Sequence, residues 1–454
     1  MTIAERLAAF TASLHFDALP PAVVAAARLR VLDVLGVALA ASRQDFAAPL
    51  ARTLEGWAAG GEATVIGTKQ TAPVPLAVLA NGTLAHALDF DDTHPAAIVH
   101  VSSVIVPTVL AAGEAARADG RAVLTAAVAG GEAMIRLGLA ASGAFHARGW
   151  HATGVCGALG AALAAGRVHG LDPGRLAAAL GLAGSFASGL LEFLADGSAA
   201  KRVHAGWAGQ AGTVAAALAA AGFSGPTTVL EGRFGLYAAM LGAPPAREAF
   251  DALGREWQTL RIAVKPYPCC HLLHAYLDCA LALRSAHGIA PEAIESVECR
   301  VPAGEVPIIC EPAAAKRSPR TPYEAQFSLP FTVAAALVDG RVGLETFAPE
   351  RLADPRVAAL AGRVTYAIDP TARYPEGFPG WVVLRLADGR CVEAREPDGR
   401  GGPERPLPAA AIVEKFRDNA ARALPAARVD QLEAAVLALD TLADAGEILR
   451  LCRP

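Results

Sequence analysis

The sequence has little aromatic content and little net charge. Phenylalanine, tryptophan and tyrosine make up 6% of the 454 residues, and the formal net charge is only -4, with a pI of about 6.3. A chain without a strong basic field has no global attraction for nucleic acid or for an anionic membrane surface. We therefore expect neither of these as a partner.

Disulfide, secretion and membrane signals are also missing. The eight cysteines show no C-x-x-C spacing and no disulfide framework. Residues 1–9 lack the basic start, apolar core and cleavage site of a secretory signal. Uncharged stretches such as 211–230 are Ala-rich and interrupted by Gly and Pro, so we expect no membrane span. Together these absences favour a reducing cytoplasm.

Nucleotide and hydrolase motifs are absent as well. There is no Walker A motif, no G-x-G-x-x-G and no G-x-S-x-G, which argues against nucleotide cofactors and against a serine hydrolase. Two clusters contain residue types that bind zinc or magnesium. They are Cys269, Cys270, His271 and His274, and Asp89, Asp91 and Asp92. Adjacent cysteines rarely point at one ion, and we expect neither cluster to hold a metal.

Alanine and glycine are what the sequence has in abundance. The chain is 53% hydrophobic and contains 44 glycines, a composition that suits closely packed helices with small contact residues. Apolar residues recur at helical spacing through residues 22–41, 104–118 and 122–138. No strand of note is predicted before about residue 260, so helix-on-helix packing is expected there.

The pattern changes after residue 265. Strands are predicted over 296–301 and 363–368, and two alternating segments, 381–386 and 391–396, flank Asp388-Gly389, a strong hairpin signal. Helices resume over 409–423 and 429–442. We predict a mainly α protein, with a large all-helical domain built from both chain ends (1–264 and 400–454) and a smaller inserted α+β module (265–399).

Ionisable residues crowd into the stretch 81–108, between apolar helix-like segments. They are Asp89, Asp91, Asp92, His94 and His100, and the polar Thr93 lies among them. Desolvated ionisable groups are costly unless they are paired or used, and such clusters tend to mark active sites. The alternative is an Asp-rich helix cap on a solvated loop, because Asp and Thr are good N-cap residues and Pro95 suits a first helical turn.

Further polar residues stand alone in apolar sequence. They are His146, His151, Lys201, His204, Lys265, His271 and His274. A lone histidine is more often a satisfied core residue, and a lysine has the alternative of a solvated helix start. Lys265 precedes Pro266 and Pro268, whose rings fix the backbone and hold the origin of that side chain.

Six sequence blocks resemble those of the MmgE/PrpD family, that of 2-methylcitrate dehydratase and cis-aconitate decarboxylase. The blocks occur in the family's order through most of the chain. They are HALDFDDTH (86–94), His100 with Ser102-Ser103, GWHATGVCGALGAA (149–162), KRVHAGWAGQAG (201–212), PTTVLEGRFG (226–235) and KPYPCCH (265–271).

The resemblance implies a homodimer without cofactor or metal, in which the inserted module is a lid and the site lies in the cleft between domains. The catalytic residues it implies are Asp89, His100, His151, Lys201 and Lys265, and the expected substrate-binding residues are Thr93, His94, His204 and His271. The lysines and a protonated histidine would neutralise an enediolate. His100 and His151 would donate and accept protons.

The leading hypothesis is a cofactor-free hydro-lyase that acts on a small hydroxylated di- or tricarboxylate such as 2-methylcitrate. The alternatives are an epimerase of an amino- or imino-dicarboxylate resembling iminodisuccinate, a cis-aconitate decarboxylase, and a non-catalytic binding protein on the same fold. The family's decarboxylases use a tyrosine at a position that falls on Phe331 here. This departure argues against the decarboxylase.

Overall fold

The computed structural model describes residues 1–57, 60–372, 374 and 377–454. Over these residues the protein is mainly α, as the sequence predicts. The chain forms two compact packing units. The first comprises Met1–Glu192, Ala200–Val264 and Pro408–Pro454, and the second comprises Phe193–Ala199 and Lys265–Leu407. The division at residues 265 and 399 into a helical domain and a lid stays a prediction.

The regular elements are numbered here in chain order. The α-helices are α1 (Ile3–Ser13), α2 (Pro21–Ala41), α3 (Ala47–Trp57), α4 (Val74–His86), α5 (Ser102–Ala116), α6 (Gly120–Leu139), α7 (Ala144–Ala147), α8 (Ala152–Val168), α9 (Pro173–Gly184), α10 (Phe193–Asp196), α11 (Ala200–Ala220), α12 (Leu236–Leu241), α13 (His274–His287), α14 (Val306–Ile309), α15 (Ala313–Arg317), α16 (Pro322–Ala325), α17 (Leu329–Asp339), α18 (Pro349–Leu352), α19 (Pro355–Ala361), α20 (Ala409–Ala420), α21 (Ala426–Leu437) and α22 (Gly446–Leu451). The strands are β1 (Ala63–Thr64), β2 (Thr71–Ala72), β3 (Ile294–Val301), β4 (Val364–Ile368), β5 (Gly380–Leu386) and β6 (Cys391–Glu396).

The core of the first unit is built on α8, which packs against α6, α9 and α11, while α11 also packs against α4. Glycines permit this closeness. A Cβ atom on Gly160 would lie 2.7 Å from Cβ of Met134, and one on Gly206 would lie 2.1 Å from the carbonyl oxygen of Leu79. Any side chain at Gly206 would therefore force α11 away from α4. The close packing gathers the end of α4, the start of α8 and the start of α11 into one place.

Helix α6 is long and apolar enough to cross a membrane by length and composition alone, but 83% of its apolar window is buried inside the protein. Its one buried acid, Glu132, forms an ion pair with Arg136. Glu132 also accepts hydrogen bonds from the backbone N–H of Thr259 (2.7 Å) and from the Thr259 hydroxyl (2.7 Å). These bonds explain a carboxylate inside an apolar helix, and they give it a structural role.

Helices α2 and α20, from opposite ends of the chain, also pack together in the first unit. Lys415 of α20 is buried, and its Nζ lies 2.8 Å from Oδ1 of Asp33 on α2. The same ammonium donates to the carbonyl oxygen of Phe90 at 2.8 Å and lies 3.9 Å from the centre of the Phe90 ring. Helix α20 therefore holds the backbone of the loop between α4 and α5.

A short antiparallel hairpin of β1 and β2 also lies in the first unit. The sequence predicts no strand of note there, because two-residue strands leave too little alternation to detect. The second unit contains a sheet with strand order β4-β3-β5-β6, in which β3 and β4 are parallel and the other pairs antiparallel. All four of these strands are predicted from the sequence. Helix α13 packs against β5 and β6, and α17 packs against α13 and α19.

Candidate active site

The loop between α4 and α5, residues 87–101, brings most of the predicted acids and histidines together. Its backbone is held by a pair of hydrogen bonds between Thr93 and Ala263, of 2.9 and 2.7 Å, and by a bond from the N–H of His94 to the carbonyl oxygen of Val99. Asp89 has a φ of 50°. Asp tolerates this left-handed conformation better than most residues, and backbone strain of this kind often accompanies functional sites.

The lysine and aspartate predicted to be catalytic form a buried ion pair. Nζ of Lys201, at the start of α11, lies 2.6 Å from Oδ1 of Asp89, and both side chains are at least nine-tenths buried. An ion pair removed from water holds its geometry well, because each charge needs the other. The pair places a cation beside the imidazoles described next.

Histidine rings from four segments lie near this cation. His100 and His151 have ring centres 6.0 Å apart, and His86 lies 4.5 Å from the first and 5.6 Å from the second. Nδ1 of His151 lies 3.0 Å from Nδ1 of His204, and His146 is 6.1 Å away, centre to centre. We call His86, His100, His146, His151 and His204 the imidazole cluster. It contains three of the predicted site residues.

Burial lowers the pKa of several rings of the imidazole cluster. Loss of hydration lowers the pKa of His100 to about 3 and that of His204 to about 4, and it holds the pKa of His151 well below the usual value. The ammonium of Lys201 depresses all three further. Near neutral pH these rings are therefore uncharged, and each carries one nitrogen lone pair, of which the contact between His151 and His204 uses one.

The two adjacent acids, Asp91 and Asp92, have different partners. Asp92 accepts hydrogen bonds from the N–H of Ser102 (3.0 Å) and from its hydroxyl, so it caps α5, and burial raises its pKa to about 6. Asp91 instead accepts from Nδ1 of His86 at 2.8 Å. Burial alone would raise the pKa of Asp91, but the neighbouring imidazoles hold it well below the usual value. The helix-cap alternative therefore describes Asp92 and does not describe Asp91.

The remaining predicted site residues lie outside the imidazole cluster. Nε2 of His94 lies 3.1 Å from Oε1 of Gln258, and its Nδ1 accepts from the N–H of Ala97, so this ring braces the loop. Lys265 and His271 belong to the second unit. Lys265 is buried, and the ring of His271 lies 5.2 Å from that of Phe378.

Sequence reasoning did not select His86, Asp91 or His146 as site residues, although the structure places them in or against the cluster. His86 ends an apolar helix, where a histidine has the same pattern as a core residue. The one available signal was its position directly before the acidic segment, because a histidine so close to a carboxylate is commonly oriented by it. His146 was noticed in the sequence but had no partner that spacing could identify.

Two groups in this region have the residue types of a metal site. Ligand atoms of His86, His100 and His151 lie within 4.8 Å of one another, and so do those of Asp89, Asp91 and His100. However, Lys201 already neutralises Asp89, and His86 already donates to Asp91. A cation would have to displace the ammonium of Lys201 from its carboxylate. We therefore assign no metal to the group that contains Asp89.

This mainly α chain buries several neutral imidazoles beside a lysine. Such an arrangement is suited to proton transfer on an anion. Two family models match this chain. The model of the MmgE/PrpD N-terminal domain matches residues 5–249, and that of the MmgE/PrpD C-terminal domain matches residues 267–441. The chain therefore belongs to the MmgE/PrpD family.

Curated relatives match over nearly their whole length. The chain is 29% identical over 452 residues to the cis-aconitate decarboxylase-like protein oryM of Aspergillus oryzae, covering 95% of this chain and 93% of the relative. It is 28% identical to cis-aconitate decarboxylase of Aspergillus terreus, over 99% and 95% of the two chains. It is 26% identical to cis-aconitate decarboxylase of Mus musculus, over 100% and 93%. At the level of the family, these comparisons support an enzyme of the lyase class.

Proposed function

We propose that this protein is a cofactor-free lyase that acts on a small di- or tricarboxylate by proton transfer at a carbon next to a carboxylate. The observation that carries the proposal is the cluster of buried, neutral imidazoles around the Lys201–Asp89 ion pair. Such chemistry passes through a carbanion or enediolate, and it needs both a proton donor or acceptor and a fixed positive charge.

The arrangement supplies both parts. His100 and His151 can accept or return a proton through a ring nitrogen. The ammonium of Lys201 is close enough to lower the pKa of both rings, and Asp89 holds it in place. Because the site is poor in water, the attraction between this cation and a developing oxyanion is stronger than it would be in solution. Lys265 of the second unit is proposed as a further cation, on the resemblance alone.

A polyanionic substrate would also change the histidines. The low pKa of His100 comes from burial, with Lys201 contributing, while the Asp91 carboxylate opposes both. Two or three substrate carboxylates would raise the pKa of a nearby imidazole, since an adjacent negative charge favours the protonated form. Binding would thus convert one neutral ring into the acid that protonates a leaving group or a carbanion.

Two reactions compete at the finer level, and each is supported by one observation. The names of the relatives favour loss of carbon dioxide from an acid such as cis-aconitate, in which the carbanion left behind takes up a proton. The residue Phe331 favours loss of water from an acid such as 2-methylcitrate, in which a base removes a proton and an acid protonates the hydroxyl. Phe331 is buried against Phe347 in the second unit and supplies no hydroxyl group.

A mass-spectrometric survey tests the proposal. The purified protein is incubated separately with cis-aconitate, 2-methylcitrate, citrate and an amino-dicarboxylate, and the products are scored for loss of carbon dioxide or of water. We expect turnover of at least one acid, reduced by at least about 100-fold in His151→Asn, as for loss of a general acid or base. His15→Asn, at an exposed histidine of the same unit, is the matched control. No turnover of any acid would contradict the proposal.

A further inference from the structure

Asp91 touches two imidazoles with one oxygen atom. Its Oδ2 lies 2.8 Å from Nδ1 of His86 and 3.1 Å from Nδ1 of His100. The first contact is a good hydrogen bond, whereas the second is an ion-pair contact that does not have the geometry of a good hydrogen bond. The side chains of His86 and Asp91 are fully buried, and that of His100 is 11% exposed. A single carboxylate therefore faces the same ring nitrogen of two histidines that belong to different segments.

This contact fixes which nitrogen carries the proton. A lone pair on Nδ1 would face a carboxylate oxygen across about 3 Å, which is repulsive, so both rings are most stable with the proton on Nδ1. Nε2 of His86 is buried and has no hydrogen-bond partner among the residues that the structure describes. A lone pair on that atom is tolerable, whereas a buried N–H without an acceptor would cost about 1–3 kcal/mol.

We propose that Asp91 is a positioning residue for catalysis, which holds His86 and His100 with Nδ1 protonated so that Nε2 of each ring carries the lone pair. Asp91 acts through the rings and does not itself touch the substrate. His86 stacks on His151, with an angle of 20° between the ring planes, so its orientation also limits the orientation of that ring. The proposal rests on the proposed function for its kinetic consequence, but its structural part does not.

Several charged or titratable groups face His100, and the test must separate Asp91 from them. They are His86 at the end of α4, Asp89 and Asp91 in the loop, His151 before α8, and Lys201 on α11. Removing the Asp91 charge takes away the carboxylate that raises the basicity of His100, while Lys201 and Asp89 remain as an ion pair. A weaker base accepts a proton less well in the transition state, so kcat should fall while KM changes little.

The experiment compares Asp91→Asn with Asp92→Asn. The two substitutions are identical and adjacent, but Asp92 contacts Ser102 and lies 3.9 Å from Arg30, away from the imidazoles. For Asp91→Asn we expect kcat to fall by about 100-fold or more, KM to stay within about threefold, and the acid limb of the kcat–pH profile to move to lower pH. For Asp92→Asn we expect the pH profile of the parent. Equal kcat values and equal pH profiles in the two variants would overturn the proposal.

A second readout does not depend on turnover. Spectra of protein carrying ¹⁵N-histidine report which ring nitrogen is protonated. We expect His86, assigned with His86→Gln, to have its proton on Nδ1 in the parent and in Asp92→Asn, and to change in Asp91→Asn. A proton on Nε2 of His86 in the parent would overturn the proposal even if the enzyme is active. If the parent turned over none of the acids, the proposed function would fail, while the spectra would still decide whether Asp91 sets the tautomer.

Discussion

Nζ of Lys201 lies 2.6 Å from Oδ1 of Asp89, and the two residues are 112 positions apart in the sequence. The contact joins the start of α11 to the loop after α4, so it is tertiary structure that makes the pair. The backbone of Asp89 is in the left-handed conformation, with a φ of 50°. The site therefore depends on a charge pair whose members are each unfavourable alone.

The first prediction concerns this pair. Lys201→Met leaves Asp89 buried without its cation, and removal of one partner of a buried pair typically costs about 3–5 kcal/mol of stability. The double variant Lys201→Met/Asp89→Asn should regain most of this, because neither charge is then left alone. Both variants should lose activity. Urea unfolding and turnover assays measure the two effects, and a double variant no more stable than the single one would show that the charges do not stabilise each other.

The matched control for this cycle is an exposed ion pair. Nε of Arg175 lies 3.6 Å from Oδ2 of Asp172 on the surface of the first unit, and both side chains are more than half exposed. Exposed pairs contribute little, because water and salt screen them. Arg175→Met should therefore leave both unfolding and turnover close to those of the parent.

The second prediction concerns Lys415, which holds the Phe90 carbonyl group between Asp89 and Asp91. Lys415→Met removes the partner of Asp33 and one support of the loop. Burial already raises the pKa of Asp33, so this acid can take up a proton once Lys415 is gone. We therefore expect the free energy of unfolding to fall by about 3 kcal/mol, the lower end of the range for a broken buried pair. Adding Asp33→Asn should restore part of the stability. Unchanged urea unfolding in Lys415→Met would show that the contact does not hold the loop.

The third prediction concerns acid. The folded pKa values of His94, His146 and His204 are about 4, and that of His100 is about 3, against 6.5 for an unperturbed histidine. At a pH between these folded values and 6.5, the histidines bind more protons in the unfolded chain than in the folded one. The free energy of unfolding should therefore fall as the pH falls from about 6.5 to 4, by at least about 2 kcal/mol.

The buried aspartates oppose part of this change. Burial raises the folded pKa of Asp92 to about 6, so its contribution is lost as the pH rises and regained as the pH falls. The histidines outnumber the aspartates of this kind, so the net change should still be a loss of stability in acid. Urea unfolding at several pH values measures it, and His94→Gln should flatten the slope. A stability that is level or higher near pH 4.5 would be incompatible with neutral buried imidazoles.

The fourth prediction concerns proton uptake when a ligand binds. An unreactive tricarboxylate such as tricarballylate should raise the pKa of one cluster imidazole, so the complex should take up about half to one proton near neutral pH. Calorimetry in two buffers of different ionisation enthalpy gives this number. His151→Asn should take up fewer protons. Binding without uptake would mean that no imidazole changes its charge with the ligand.

Most of the fold could be predicted from the sequence, because long apolar periodicity and alternation are local signals. Helix α2 was predicted over 22–41 and runs from Pro21 to Ala41, and β6 has the bounds predicted for it. The hairpin of β1 and β2 was missed because each strand has two residues. Short segments of this kind depend on their neighbours more than on their own sequence.

The site was predictable only in part. His100, His151, His204, Lys201 and Asp89 were all selected from the sequence, and the structure brings them together in the first unit. The sequence left a helix cap open for every acid of this segment, but Asp91 faces two histidines instead. The loop is held by the pairing of Thr93 with Ala263. That pairing spans 170 residues of sequence and leaves no local pattern. Which nitrogen of His86 faces Asp91 is likewise a tertiary property.

The most direct test of the account is the origin of the proton in the product. The protein and each acid that it consumes are incubated in deuterated water, and NMR locates any deuterium. The account predicts deuterium at the carbon next to a carboxylate, in the product of decarboxylation or in substrate recovered from dehydration, at a rate at least about 100-fold lower in a folded His151→Asn variant. Turnover without solvent deuterium at that carbon, or at the parental rate in His151→Asn, would contradict it.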